Sequence, residues 1–214
     1  MTSTIKINET MSKVDRELNT FAAAAGTYSA TIATIKRDLN PVSDAAKDAT
    51  ADAEEKLRIT GNRIVRTIDL MIDEAKRLYT EDARLDPARD LPTVTATIDF
   101  LKGRNIEEVS TDALTDIAAS LCGRTAAIDM IVKAVPEYAG FFEPYMVSET
   151  DLHEITKALA MLDIDPVENR FSAGDLRSWL MVFCKKIGAV YPAAEDASMT
   201  ELRYQYIMKA MNLA

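Results

Sequence analysis

The feature that most constrains this chain is a run of apolar residues spaced alternately by four and by three. Ile7, Met11, Val14, Leu18, Phe21, Ala25, Tyr28, Ile32, Ile35 and Leu39 follow one another without a break. Four plus three residues make two helical turns. An unbroken heptad seam of this length predicts a coiled-coil helix. The helix should stop at "DLNPVSD", where Pro41 pushes Asn40 out of the α region. Ser43 can then cap a second helix, with Asp44 in its first turn opposing the dipole. That helix repeats the seam at Leu57, Gly61, Ile64, Ile68, Met71, Ala75 and Leu78, and thins upstream to Ala46, Ala49 and Ala53.

If the chain reverses at Asn40-Pro41, residue i of the first arm faces roughly residue 82 minus i of the second. Phe21 then meets Gly61, Tyr28 meets Ala53, and Leu18, Val14 and Met11 meet Ile64, Ile68 and Met71. Large faces small near the tip and medium faces medium near the base, the pairing that interdigitation at native density asks for. An antiparallel hairpin over residues 1–80 is therefore expected rather than one long rod.

The hairpin does not account for the surface of its first arm. No charged side chain occurs from Leu18 to Ile35, although 28% of the chain is charged. A solvated coiled coil usually carries Glu, Lys and Arg outside its seam. Here those positions hold Ala, Ser, Thr and Gly. Ala22, Ala23, Gly26, Ala30, Ala33 and Thr34 are the candidate interaction residues, because small side chains let another helix approach closely. An Ala-rich helix left in water is the bland alternative, tolerable because Ala has the best helix propensity. Membrane contact fits poorly: Thr, Ser and Asn dilute the hydrophobicity and no basic flank is present.

After Tyr79 the pattern breaks at "TEDARLDPARDLPT", which predicts a linker over 81–92. A compact bundle of about five helices should follow in 93–214. The segments are "TVTATIDFLKGR", one long helix from Ser110 to Val135, "SETDLHEITKALAMLDI" capped by Ser148, "SAGDLRSWLMVFCKKIG" capped by Ser172, and "SMTELRYQYIMKAMNL" with Ser198 and Glu201 as a capping box. No alternating strand pattern occurs, so the fold class is all-α. Residues 136–206 hold 10 of the 14 aromatic residues, which places the best core around Phe141, Phe142, Leu176, Trp179, Leu180 and Phe183.

Catalytic and metal-binding patterns fail one by one. His153, the only histidine, stands in "DLHEITK", where Lys157 occupies the second ligand position of a zinc helix. Glu149 is four residues from His153, not the spacing of a di-iron bundle. "DIDPVENRFSAGD" has Val167 and Glu168 where a calcium loop needs an oxygen ligand and a glycine. The glycines form no phosphate loop. Cys122 and Cys184 sit in apolar helical patterns and read as reduced core thiols. No cofactor, no metal and no enzyme activity are expected.

Net charge is −9, and all of it falls after residue 80: residues 1–80 hold 12 basic and 12 acidic side chains. This disfavours nucleic acid as a partner, which needs Lys and Arg to replace phosphate counterions. With no secretory signal pattern and no long apolar run, a cytoplasmic location, or one within a particle assembled in the cytoplasm, is the default. Two functions fit. One is a non-catalytic assembly or structural protein, a component or scaffold of a viral or other particle, which self-associates or docks through the hairpin. The other is a small acidic regulatory binder or inhibitor acting as a monomer on a basic surface.

Overall fold

The computed structural model describes residues 3–164 and 170–192. Every regular element among them is helical. The expected helix at Ser198, the failed calcium loop's Val167 and Glu168, and Pro166 lie outside the described residues.

Two long helices come first: α1 (Ser3–Asp38) and α2 (Asp44–Asp82). The turn between them forms as the sequence predicts. Asn40 Oδ1 accepts from the Val42 N–H at 3.1 Å, and the Ser43 hydroxyl caps α2 by accepting from the Ala46 N–H at 3.2 Å. The arms pack antiparallel along their length, and the Tyr28 hydroxyl donates to Glu54 at 3.4 Å, one residue beyond the expected partner Ala53. Ile7, Met11, Val14, Leu18 and Phe21 on α1 are each 2% exposed or less, and Ile64 and Ile68 on α2 match them.

Residues 81–92, expected as a linker, are mostly helix. α3 (Pro87–Leu101) begins there, with Pro87 at its first position, where a missing N–H costs nothing. The Asp86 carboxylate caps it by accepting from the Ala88 and Arg89 N–H groups. Pro87 was thus a helix start rather than a breaker.

The single helix expected from Ser110 to Val135 is two. α4 (Thr111–Ser120) and α5 (Thr125–Ala134) are separated at Gly123, whose φ of 77° no helical residue adopts. Ser110 does cap α4, accepting from the Ala113 N–H. A four-residue α6 (Ala139–Phe142), flanked by 3-10 turns, leads to α7 (Glu149–Ile164) and α8 (Arg170–Lys186). α8 starts two residues ahead of Ser172, its expected cap, while Ser148 receives the Asp151 N–H as expected.

Two hydrophobic cores result, and they divide the chain differently from a hairpin plus a separate body. The first joins the base of the hairpin to α7 and α8: Met11, Leu18, Phe21, Ile68 and Tyr79 share it with Ile155, Leu162, Leu176, Leu180 and Phe183. The second belongs to α3–α6 and holds Val94, Leu101, Leu121, Ile128, Tyr138 and Phe142. The aromatic core expected as one is therefore split, and Trp179 and Phe141 only pack against its two parts.

A second stripe on α2 makes the first core possible. Val65, Ile72 and Tyr79, seven residues apart, are all buried, each one place after a seam position. One place along a helix is about 100°. The stripe therefore faces α7 and α8 while the seam faces α1. On α1 the equivalent positions are polar. Asp15 and Asn19 hold α8 through Arg177, whose Nε donates to Asp15 Oδ1 at 2.9 Å and whose Nη2 donates to Asn19 at 2.5 Å. The Tyr191 hydroxyl donates to the same Asp15 oxygen at 3.2 Å. The cores are stitched together by the Gly123 N–H donating to the Lys186 carbonyl, and the Ala126 N–H to the Ala83 carbonyl.

Candidate functional site

Beyond Phe21 the hairpin leaves the body. From there to Asp38, α1 runs for roughly 27 Å at 1.5 Å per residue. Among the described residues, none of α1 beyond Phe21 belongs to the core shared with α7 and α8. The seam continues but is no longer sealed. Tyr28, Ile32 and Ile35 are only half-buried, because α2 offers Ala49 and Ala53 opposite them in place of Ile64 and Ile68. Large side chains facing alanine predict close packing; in the structure they leave a furrow.

All six candidate interaction residues, Ala22, Ala23, Gly26, Ala30, Ala33 and Thr34, are exposed. Five of them occupy the outer and body-side faces of α1; Thr34, one place before Ile35, stands on the flank of the furrow. The hydroxyls beside them are already satisfied by their own helix. Thr27 donates to the Ala23 carbonyl, Ser29 to Ala25 and Thr31 to Thr27, each at about 3 Å. What this surface presents to a neighbour is methyl groups and backbone, with few donors left to desolvate.

The concave feature lies on the other flank. A groove of about 480 Å³ runs between the arms, lined on α1 by Ala24, Thr27, Tyr28, Thr31 and Ile35, and on α2 by Asp52, Ala53, Lys56, Leu57 and Thr60 among others. Ala24, Thr27 and Thr31 each stand one place before a seam residue, as do Asp52, Lys56 and Thr60. Asp15, Asn19 and Val65 stand one place after. The groove therefore opens on the face of the hairpin opposite α7 and α8. The candidate set taken from missing charge meets this strip only at Thr34; the positions preceding each seam residue were the signal that could have found it.

The body offers less. A polar cleft of about 510 Å³ lies between the two cores, walled by Tyr79, Asp82, Arg89, Cys122 and Arg124. Its two arginines are spent on Asp90, a buried carboxylate on α3. Arg89 Nε lies 2.7 Å and Arg124 Nη1 3.3 Å from Asp90 Oδ1, and the Asp86 N–H reaches the other oxygen. The Arg89 hydrogen bond, more than the Asp86 N–H or the nearby charge of Arg124, holds the Asp90 carboxyl below the usual carboxylate range. Cys122 borders this cleft and Cys184 is buried; burial raises both thiols, Cys184 to about 12. His153 is exposed on α7. Among the described residues no group of His, Cys, Asp and Glu side chains is placed to hold a metal ion, and no helix is long and apolar enough to cross a membrane.

Compared with protein-family models, with curated proteins and with solved structures, the chain matches none.

Proposed function

We propose that this chain is a non-catalytic assembly protein, a structural component or scaffold of a viral or other protein particle, that self-associates or docks through its coiled-coil arm. The observation that supports this reading is the distal half of the hairpin: a projecting pair of helices with a charge-free first arm, a half-covered seam and hydroxyls bonded to their own backbone. Contact with another helix would remove apolar area from water at roughly 25 cal/mol per Å². It would order few side chains, since Ala loses no rotamer freedom. The acidic body is then a second contact surface. Nucleic acid has no part in this reading, and the setting is the cytoplasm or a particle built there.

The test is the mass of the full chain in solution at micromolar concentration, alone and as A23E/A30E. Both substitutions keep good helix formers on an exposed face, so far-UV helicity should persist. The new carboxylates would have to be desolvated in a tight contact, which costs several kcal/mol unless they are paired. A multimeric parent and a variant of smaller mass are expected. A parent that is monomeric, with no partner lost by the variant, overturns the reading and favours the acidic monomeric binder. Removing residues 1–80 would not serve, because it strips α1 and α2 from the first core.

A further inference from the structure

We infer that the groove between the arms is an isologous interface, occupied by the same groove of a second copy packed antiparallel. This rests on the proposed assembly role and names its partner and geometry. Three observations carry it. The groove is open along the unsealed seam, with Tyr28, Ile35 and Leu57 at its floor. Ile59, outside the groove's lining, is 60% exposed and stands three residues beyond Lys56 and seven beyond Asp52, on the same face of α2. The rim charges are self-complementary: Asp52 and Lys56 are one turn apart, and neither has an ion-pair partner among the described residues.

A two-fold axis lying between the two copies, level with Glu54 and perpendicular to α2, sets α2 against α2 of the second copy with opposite direction. Asp52 of each copy then lies beside Lys56 of the other, so two ion pairs form by symmetry. The same operation lays Ile59 of each copy over Ala49 of the other, a large side chain on a small one. Glu54 itself follows a seam position and turns toward the opposite flank, where it accepts from Tyr28, so the axis brings no like charges together. α7 and α8 pack on that opposite flank and do not obstruct the approach. A basic or acidic foreign partner would satisfy one rim charge and oppose the other; a second copy satisfies both.

Charge reversal with symmetry-restored rescue tests this directly. The full-length chain, D52K, K56D and D52K/K56D are compared by sedimentation equilibrium at low salt, with far-UV CD confirming helicity. Each single variant places like charges across the axis and should weaken self-association by about tenfold or more. The double variant rebuilds both pairs with reversed polarity and should return to within about threefold of the parent. The difference should shrink at 1 M salt, where screening extends over only about 3 Å. Singles that associate like the parent, or a double that stays as weak as the singles, overturn the inference. If A23E/A30E breaks assembly while these four proteins associate alike, the assembly role stands and the groove interface alone falls.

Discussion

Replacing Asp15 by Asn tests what fixes the arm to the body. Asp15 and Arg177 are almost fully enclosed, with side chains 9% and 7% exposed. Arg177 reaches across from α8 to Asp15 and Asn19, and Tyr191 donates to the same carboxylate. Asn at position 15 removes the negative charge and leaves the guanidinium buried against dipoles alone. Breaking one side of such a pair costs about 3–5 kcal/mol. For a domain of this size each kcal/mol moves Tm by about 2–4 °C, so D15N should melt about 6–20 °C below the parent. R177M should cost a similar amount, since it strands Asp15. D15L/R177M leaves no buried charge, and replacing a buried ion pair with apolar side chains is often close to neutral. It should cost less than half of either single change, with about 1 kcal/mol of that from the lost acceptor of Tyr191. The assays are thermal and urea unfolding at pH 7, both followed by far-UV CD. If the two single costs add up in the double variant, or if each single costs under about 0.5 kcal/mol as a surface change does, the pair is not the fastening described.

Two further expectations follow from the body. Asp90 has a folded pKa below its unfolded value of about 4, so its contribution is present above that value and lost as pH falls through the lower folded one. The stability gap between the parent and D90N should therefore be largest at neutral pH and close on acidification below about pH 4, read as the urea midpoint across a pH series; a gap that stays constant would contradict it. With its thiol raised to about 12 and buried, Cys184 should resist iodoacetamide in native protein at pH 8 while half-buried Cys122 reacts slowly, and both should react in urea, as peptide mass spectrometry would report. Native labelling of Cys184 at the rate of Cys122 would refute that order.

The hairpin was legible because its determinants are local and periodic. A seam read residue by residue places Phe21 and Ile64 inside, and Asn40-Pro41 with Ser43 places the turn. The body of α3 was legible at "TVTATIDFL", but its first turn and a half was lost because Pro87 was weighed as a breaker without the Asp86 cap that makes it a start. The break at Gly123 was lost because apolar spacing continues through it, and only the left-handed φ interrupts the helix. The second stripe of α2 was present in the sequence at Val65, Ile72 and Tyr79, but three residues at seven-residue spacing are a fainter signal than the denser seam beside them. Asp15 and Arg177 were not readable at all. They are 162 residues apart, each looks like an ordinary surface charge, and nothing local distinguishes a buried ion pair from a solvated one. The same limit applies to the arm. Missing charge marked α1 as unusual, but which flank is concave depends on how the arms sit and where α8 binds.

The first core draws its helices from far apart in the chain, with α3–α6 inserted between α2 and α7, and this orders events during synthesis. The inserted core contains mostly neighbouring segments and can close as soon as it emerges. The hairpin can also zip early. Its base cannot be completed then: Val65, Ile72 and Tyr79 stay uncovered, and Asp15 lacks its counter-charge, until α8 has left the ribosome. A nascent chain therefore holds an apolar stripe in water while more than a hundred further residues are added, the interval in which a chaperone, or a neighbouring nascent chain, competes with α8 for the same surface.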